Sequence, residues 1–156
     1  MNASSPMPPL TGSSLDRTEW TFPADLEGPT LLMVAFRQAQ QAQVNTWLPI
    51  ARRLGQSNES FAYFEVPFID VKWRPARGFI DGGMRAGIAD AEVQATTVTV
   101  YGRRGPWLRR LGVDSLDDIV VLLVDGDGLV HWMTRGEAAP DAELDIQEVL
   151  HGISGR

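Results

Sequence analysis

The chain has 156 residues, of which 44% are hydrophobic and 22% are charged, and its formal net charge is −6. This is the length of one domain, and it is enough to bury a core without disulfides. The chain has no cysteine, which excludes disulfides, iron–sulfur clusters and thiol chemistry. Its acidic character is unlike that of nucleic-acid-binding proteins, which carry a basic surface, and no apolar run reaches the roughly eighteen residues of a membrane span.

The N-terminal segment differs in composition from the rest of the chain. Residues 1–15 are rich in serine and proline and show no hydrophobic period. They also lack the basic start and the apolar run of a signal peptide. We therefore expect a disordered N-terminal arm over residues 1–15 and a single domain over residues 16–156. With no signal and no span in the sequence, the expected location is cytoplasmic by default.

Strand-like and helix-like segments alternate through the remainder. The continuous apolar run at 30–36 predicts a strand buried on both faces, and residues 38–54 predict a helix with Trp47 and Leu54 on its apolar stripe. The further predicted elements are strands at 61–66 and 96–101, helices at 76–91 and 107–111, a hairpin of strands 119–124 and 129–134, and a helix from Pro140. This order predicts an α/β fold with a central mixed sheet of about five strands and helices on both faces.

The order of elements and several local segments resemble the thioredoxin-like superfamily, in a peroxiredoxin-like layout. The resemblance rests on the opening WTFPADLEGPTLLMVAF, the ending LGVDSLDDIVVLLVDGDGLVHWMTRGEA, and Pro49 inside the first long helix. Two segments, VAFRQAQQAQVNTWLPIARRL and LVDGDGLVHWMTRGEA, are most similar to the mitochondrial ATP synthase assembly-factor family. That narrower resemblance implies a chaperone-like role in the assembly of membrane subunits.

Two positions depart from the superfamily. Counted back from Pro49, the CxxC motif of thioredoxins falls on Gln41-Ala42-Gln43-Val44. The cis-proline of the superfamily falls on Asp117. The resemblance therefore implies a thioredoxin-like domain without its redox centre. Thiol–disulfide exchange is excluded for this chain because it needs a thiolate.

Polar residues at the first strand-to-helix junction are candidates for a binding groove. They are Arg37, Gln38, Gln41 and Gln43. Free backbone donors at a helix start suit an anion or the backbone of a partner. The plainer alternative, which we favour, is a solvated first helical turn above a buried Trp47.

Adjacent carboxylates and two histidines are the other candidates for chemistry. Asp117 and Asp118 could act as an acid–base pair if their pKa values differed, but no accompanying motif supports this, and a turn-capping role is favoured. His131 and His151 are the two histidines of the chain, and they show no metal-ligand spacing. We expect no metal and no cofactor.

Residues 103–110 place four arginines around Trp107. Because arginine and tryptophan are enriched at interface hot spots, Trp107, Arg109 and Arg110 are candidates for docking a protein partner. The alternative that we favour is a solvated loop with Trp107 folded inward. The acidic excess lies mainly in residues 114–148, and the opposed charges also permit a homodimer.

These patterns favour a non-catalytic thioredoxin-fold protein for binding or assembly, which acts on a protein partner and not on nucleic acid. One alternative is an enzyme whose cysteine-independent chemistry joins Asp117, Asp118 or His131 to Arg37 in the former redox groove. A further alternative is a peroxiredoxin-like oxidoreductase whose cysteine has been replaced by mutation.

Overall fold

A computed structural model describes residues 5–87 and 90–154. The strands are β1 (Ser5–Pro6), β2 (Leu10–Ser14), β3 (Glu19–Phe22), β4 (Thr30–Ala35), β5 (Ala62–Asp70), β6 (Val98–Gly102), β7 (Val120–Val124) and β8 (Leu129–Arg135). The helices are α1 (Gln41–Ser57), α2 (Arg77–Gly87), α3 (Ala91–Thr96), α4 (Arg104–Arg110) and α5 (Ala142–Ser154), with 3-10 turns at Gln38–Gln40 and Val71–Ala76. Within the described ranges, the eight strands form one sheet in the order β1-β8-β7-β4-β5-β6-β2-β3.

Strand β4 lies at the centre of the fold, and its side chains alternate between two hydrophobic layers. Leu31 and Met33 pack with α1 and α5, whereas Leu32 and Val34 pack with α4. Strand β4 pairs in parallel with β5 and antiparallel with β7, and β7 continues into β8 as a hairpin. The mixed sheet, the parallel crossover, the hairpin and the helices on both faces confirm the sequence prediction.

Helix α1 confirms both the predicted helix and its apolar stripe. Trp47 and Leu54 are fully buried, and the indole Nε1 of Trp47 donates a hydrogen bond to the carbonyl of Gly136 at 2.9 Å. Pro49 lies inside the helix, as the sequence predicts. Because the buried stripe faces the sheet, the start of α1 is held at the end of β4, where the candidate groove residues lie.

The N-terminal segment corrects the prediction of a disordered arm over residues 1–15, as far as residues 5–15 are concerned. Strand β1 pairs with β8, and β2 lies between β6 and β3. Leu10 and Leu15 are buried, and Gly12 lies so close to β6 that a Cβ there would stand 2.3 Å from the carbonyl oxygen of Thr99. Backbone pairing with distant strands supplies the stability that the segment's own sequence does not. Residues 1–4 lie outside the described residues.

This correction also explains why the sheet has eight strands and not about five, since β1, β2 and β3 were not predicted. The helix predicted at 76–91 corresponds to α2, which spans Arg77–Gly87, and its last predicted residue belongs to a separate helix, α3. Residues 88 and 89 of that prediction lie outside the described residues. Helix α2 contains four glycines and buries no side chain, so it covers the sheet only loosely.

Candidate functional site

The start of α1 meets the loop before β7, and these two segments hold Gln41 and Asp117, the positions where the resemblance to thioredoxins places a redox motif and a cis-proline. The link between them is Gln40, a buried residue. Its Oε1 accepts a hydrogen bond from the backbone N–H of Phe36 at 2.8 Å, and its Nε2 donates to the carbonyl of Leu116 at 2.6 Å. Both halves of the amide are therefore used to join two segments that are 76 residues apart.

Gln43 makes a second, similar bridge one helical turn further on. Its Nε2 donates to Oδ1 of Asp118 at 2.7 Å, and its Oε1 accepts the backbone N–H of Ile119 at 3.0 Å. We call Gln40 and Gln43, with the loop residues that they contact, the amide network. In this network, two side-chain amides link α1 to the loop before β7.

The remaining predicted groove residues lie on the surface above the amide network. Arg37 forms an ion pair with Asp117 at 3.1 Å, and their side chains are 54% and 76% exposed. Water screens the pair, so its contribution to stability is about 0–1 kcal/mol. Gln41 donates to Asn45 and Glu65 at 3.0 and 3.1 Å. The structure thus pairs Arg37 with Asp117 and Gln43 with Asp118; of these contacts, the first is one that the enzyme alternative names.

A groove of about 500 Å³ lies beside the amide network. Aromatic, aliphatic and charged side chains line it: Phe36, Gln38, Ile69, Asp70, Lys72, Trp73, Ile80 and Arg104. Trp73 is 52% exposed, and Phe79 on the adjoining α2 is 89% exposed. Trp73 lines the groove and Phe79 does not; contiguous exposed apolar surface is typical of interaction sites.

Arg104 fixes one wall of this groove. Its Nη1 donates to the carbonyl of Phe36 at 2.9 Å, and its Nη2 lies 3.6 Å from Oδ2 of Asp70. The arginine therefore ties the end of β4 to the end of β5 and the start of α4. Sequence reasoning grouped it with the other arginines of residues 103–110 and did not place it in the groove.

Trp107 is a core residue, which corrects its place among the candidate docking residues. It is buried, its indole Nε1 donates to the carbonyl of Pro8 at 3.0 Å, and its ring packs edge-on against Phe68 with 5.6 Å between the ring centroids. The inward alternative is the one that the structure adopts. Arg109 and Arg110 are exposed at the end of α4, and in the described part of the chain no hydrogen bond or ion pair joins them to the groove.

His131 does not reach Arg37. Its Nε2 lies 2.6 Å from Oδ2 of Asp125, at the turn of the β7–β8 hairpin. Burial tends to raise the pKa of the Asp125 carboxyl, but hydrogen bonds with His131 and with backbone N–H groups outweigh it and hold that pKa below its ordinary value. Strand β7 separates this pair from Asp118, and seven extended residues span about 23 Å. Of the three residues that the enzyme alternative would join to Arg37, His131 is therefore remote from it.

Gln40 is the functional-site residue that the sequence analysis missed, although a signal for it was present. It precedes the buried Val44 by four residues and the buried Trp47 by seven. This spacing places it on the apolar stripe of α1. A polar residue on such a stripe is buried and needs partners, which indicates a structural bridge at this position.

Two further properties concern the described ranges, 5–87 and 90–154. Nowhere in them do three histidine or acidic side chains come together in a way that could hold a metal ion. Their helices are all too short or too polar to cross a bilayer.

No family model matches the chain, and no curated protein matches it in sequence. Solved structures do match. BsSco, a member of the Sco family of cytochrome c oxidase assembly proteins, aligns with a TM-score of 0.66 and 12% identity over 100% of this chain and 98% of its own. A putative electron transport protein from Aquifex aeolicus VF5 aligns with a TM-score of 0.64 and 15% identity over 97% and 98% of the two chains.

A third similar structure is a putative thiol:disulfide interchange protein DsbE from Chlorobium tepidum. It aligns with a TM-score of 0.57 and 15% identity over 98% of this chain and 99% of its own. At such identities a structural likeness shows a shared fold and gives no information about activity.

Proposed function

From the premise that the chain has a thioredoxin-like α/β fold, we propose that it is a binding or assembly protein that works without thiol chemistry. Its partner is a protein, which it holds in the groove beside the amide network. The observation that carries this proposal is the half-exposed Trp73, which lines a groove next to the position of the superfamily's redox motif.

The amide network supports a non-catalytic role. Gln41 and Val44 stand where thioredoxins have their two cysteines, and neither can supply a thiolate. The amides of Gln40 and Gln43 are already bonded to the backbone and to Asp118. Because these polar groups stabilise each other, they are not free to act on a substrate.

The groove has the chemistry of a protein-docking site. Phe36, Ile69 and Ile80 supply apolar walls around Trp73, and the Nζ of Lys72 lies 5.8 Å from the centroid of the Trp73 ring. A partner that inserts an apolar side chain here removes Trp73 from water, and an aromatic side chain of this kind buries about 150–250 Å². Lys72 and Arg104 can then bond to carbonyl or carboxylate oxygens of the partner.

A role in assembly is the narrower form of this proposal. It is supported by the resemblance of residues 34–54 and 123–138 to the mitochondrial ATP synthase assembly-factor family. The comparisons with known proteins add no support for that family, since no family model matches. BsSco, which shares the fold, belongs to a family of cytochrome c oxidase assembly proteins, and this offers a precedent for assembly work on the same scaffold.

The experiment is affinity capture from the native lysate with three forms of the tagged chain. They are the natural chain, the double variant W73A/F79A, and L144A as a matched control, since Leu144 on α5 is also 69% exposed. We expect a protein that the natural chain and L144A capture and that W73A/F79A loses. With that protein purified, the double variant should bind at least about tenfold more weakly. Equal capture by all three forms would contradict the proposal that the partner binds in the groove.

Two further variants test the surfaces that the sequence analysis put forward. Q41A probes the exposed start of α1, and R109A/R110A probes the end of α4. If the partner is lost with R109A/R110A and kept with W73A/F79A, the docking surface is α4 and the proposed groove is wrong. If the captured protein is the chain itself, sedimentation at increasing concentration will show a dimer that W73A/F79A weakens.

A further inference from the structure

We propose that the chain has a second site, a cleft that binds a phosphorylated small molecule through a cluster of arginines. The cleft has a volume of about 370 Å³ and lies between β2, β6 and α2. Four arginines line it: Arg17, Arg74, Arg77 and Arg85. We call it the arginine cleft.

The positive charges of the arginine cleft are only partly balanced by carboxylates of the protein. Among the described residues, no carboxylate forms an ion pair with any of its four arginines. Arg85 is positioned by a hydrogen bond from its Nε to the carbonyl of Leu15 at 2.8 Å. Glu19 and Asp81 also line the cleft, and Asp81 accepts a hydrogen bond from the hydroxyl of Tyr101 at 2.9 Å.

Four cations therefore face two carboxylates, in a chain whose formal net charge is −6. A concave surface with an excess of one charge sign raises the local concentration of ions of the opposite sign, because its low-dielectric walls focus the field. The excess of positive charge corresponds to a dianion. A guanidinium presents paired N–H donors that match the oxygens of a phosphate group.

The rest of the lining is polar as well. Thr11 and Ser13 line the cleft, as does Thr99, which is 2% exposed and whose hydroxyl has no hydrogen-bond partner in the part of the chain that the structure describes. Buried hydroxyls nearly always have partners. Hydroxyls and carboxylates beside the arginines suit a ligand that carries hydroxyl groups next to its phosphate, and the volume lies in the range of small-molecule sites, about 300–1,000 Å³.

The arginine cleft is separate from the groove of the proposed function. In the sheet, β2 is the third strand from β4, on the far side of β5 and β6. Helix α2 stands between the two sites, with Ile80 lining the groove and Arg77 and Asp81 lining the cleft. The two proposals therefore rest on different residues and can fail separately.

The test is isothermal titration calorimetry at constant ionic strength, with ribose 5-phosphate as the probe and ribose as the uncharged control. R74A/R77A removes two exposed arginines of the cleft, and R109A/R110A removes the same charge from α4. We expect saturable binding of ribose 5-phosphate by the natural chain, by R109A/R110A and by W73A/F79A. R74A/R77A should bind at least about tenfold more weakly, with an unchanged thermal midpoint that shows an intact fold.

Three results would overturn the proposal. One is the absence of saturable heat with ribose 5-phosphate at millimolar concentration. Another is an equal loss of affinity in R74A/R77A and R109A/R110A, which would indicate general charge attraction. The last is binding of pyrophosphate without binding of ribose 5-phosphate, which would indicate an inorganic anion and no ester.

Discussion

The amide network and the arginine cleft are both polar regions, but they satisfy their polar groups in opposite ways. In the amide network, Gln40 and Gln43 use both ends of their amides on partners within the chain. In the arginine cleft, Arg74 and Arg77 line a concave surface, and no carboxylate of the described residues pairs with them. The amides of the first region have all their partners within the chain, whereas the arginines of the second would gain theirs from the proposed ligand.

Whether its polar groups have partners within the chain tells a structural region from a binding site better than its position in the fold does. The amide network lies at the start of α1, where the resemblance led us to expect a binding groove, yet its bonds hold α1 to the loop before β7. The arginine cleft lies at the far edge of the sheet, where sequence patterns gave no candidate. Buried polar groups with partners stabilise a fold, whereas converging charges without partners are available for recognition.

The largest effect is expected for Q40A, which removes a structural bridge. Two backbone groups, the N–H of Phe36 and the carbonyl of Leu116, then lose their partner in a mostly buried place. We expect the free energy of unfolding to fall by about 2–3 kcal/mol. Urea denaturation followed by circular dichroism measures this.

Q38A is the matched control, because Gln38 is exposed on the same turn. Its change in unfolding free energy should stay within about 0.5 kcal/mol. Similar losses in Q38A and Q40A would show that the amide network is a solvated turn, and the contrast with the arginine cleft would disappear.

A smaller effect, of opposite sign, is expected for R17N in the arginine cleft. Arg17 has φ of 72°, a left-handed conformation that costs most side chains about 1 kcal/mol and that asparagine adopts more easily. The variant should therefore gain about 0.5–1 kcal/mol of unfolding free energy while it binds ribose 5-phosphate more weakly. R52N on α1 makes the same charge change and should show neither effect.

Unchanged stability together with unchanged ribose 5-phosphate affinity in R17N would contradict this prediction. A stabilised variant with full affinity would leave the strain argument intact and remove Arg17 from the site. Thermal unfolding and calorimetry on the same preparation distinguish these outcomes.

The smallest effect concerns Tyr101 and is confined to alkaline solution. Burial raises the pKa of this phenol well above the ordinary value of 10.0, and the hydrogen bond to the Asp81 carboxylate raises it further. Because the folded-state pKa is raised, the stability that the protonated phenol contributes is complete below about pH 10 and is lost as the pH rises above it.

An absorbance titration of Y63F, which leaves Tyr101 as the one tyrosine of a chain with two, should show ionisation well above pH 10.0. D81N in the same background should move the titration towards lower pH. Ionisation at the ordinary value would mean that Tyr101 is solvated, and the polar lining of the arginine cleft would need revision.

The core elements of the fold could be predicted because their signals are local. The apolar runs at 30–36 and 119–124 became the central strands β4 and β7, and the stripe that includes Trp47 and Leu54 became the buried face of α1. The β7–β8 hairpin followed from the glycines and aspartates of its turn. Each of these patterns repeats at the period of its own element and needs no partner to be recognised.

The N-terminal strands could not be predicted in the same way. Strand β2 contains Gly12, Ser13 and Ser14, which have no intrinsic preference for a strand. It is a strand because Gly12 lies opposite Val100 of β6, and this pairing depends on a segment more than eighty residues away. The arginine cleft depends on the same pairing, since β2 and β6 supply two of its walls.

By itself, the sequence determined that this protein has no cysteine thiolate and that its central strands and helices alternate in an α/β order, because composition and short-range periodicity are properties of the chain alone. Only the tertiary structure decided that Gln40 is bonded to a carbonyl 76 residues away, that Trp107 belongs to the core, and that four arginines line one cleft. Hydrogen bonds and ion pairs act over a few ångströms in space. Whether a polar residue has a partner is therefore settled by the packing of distant segments.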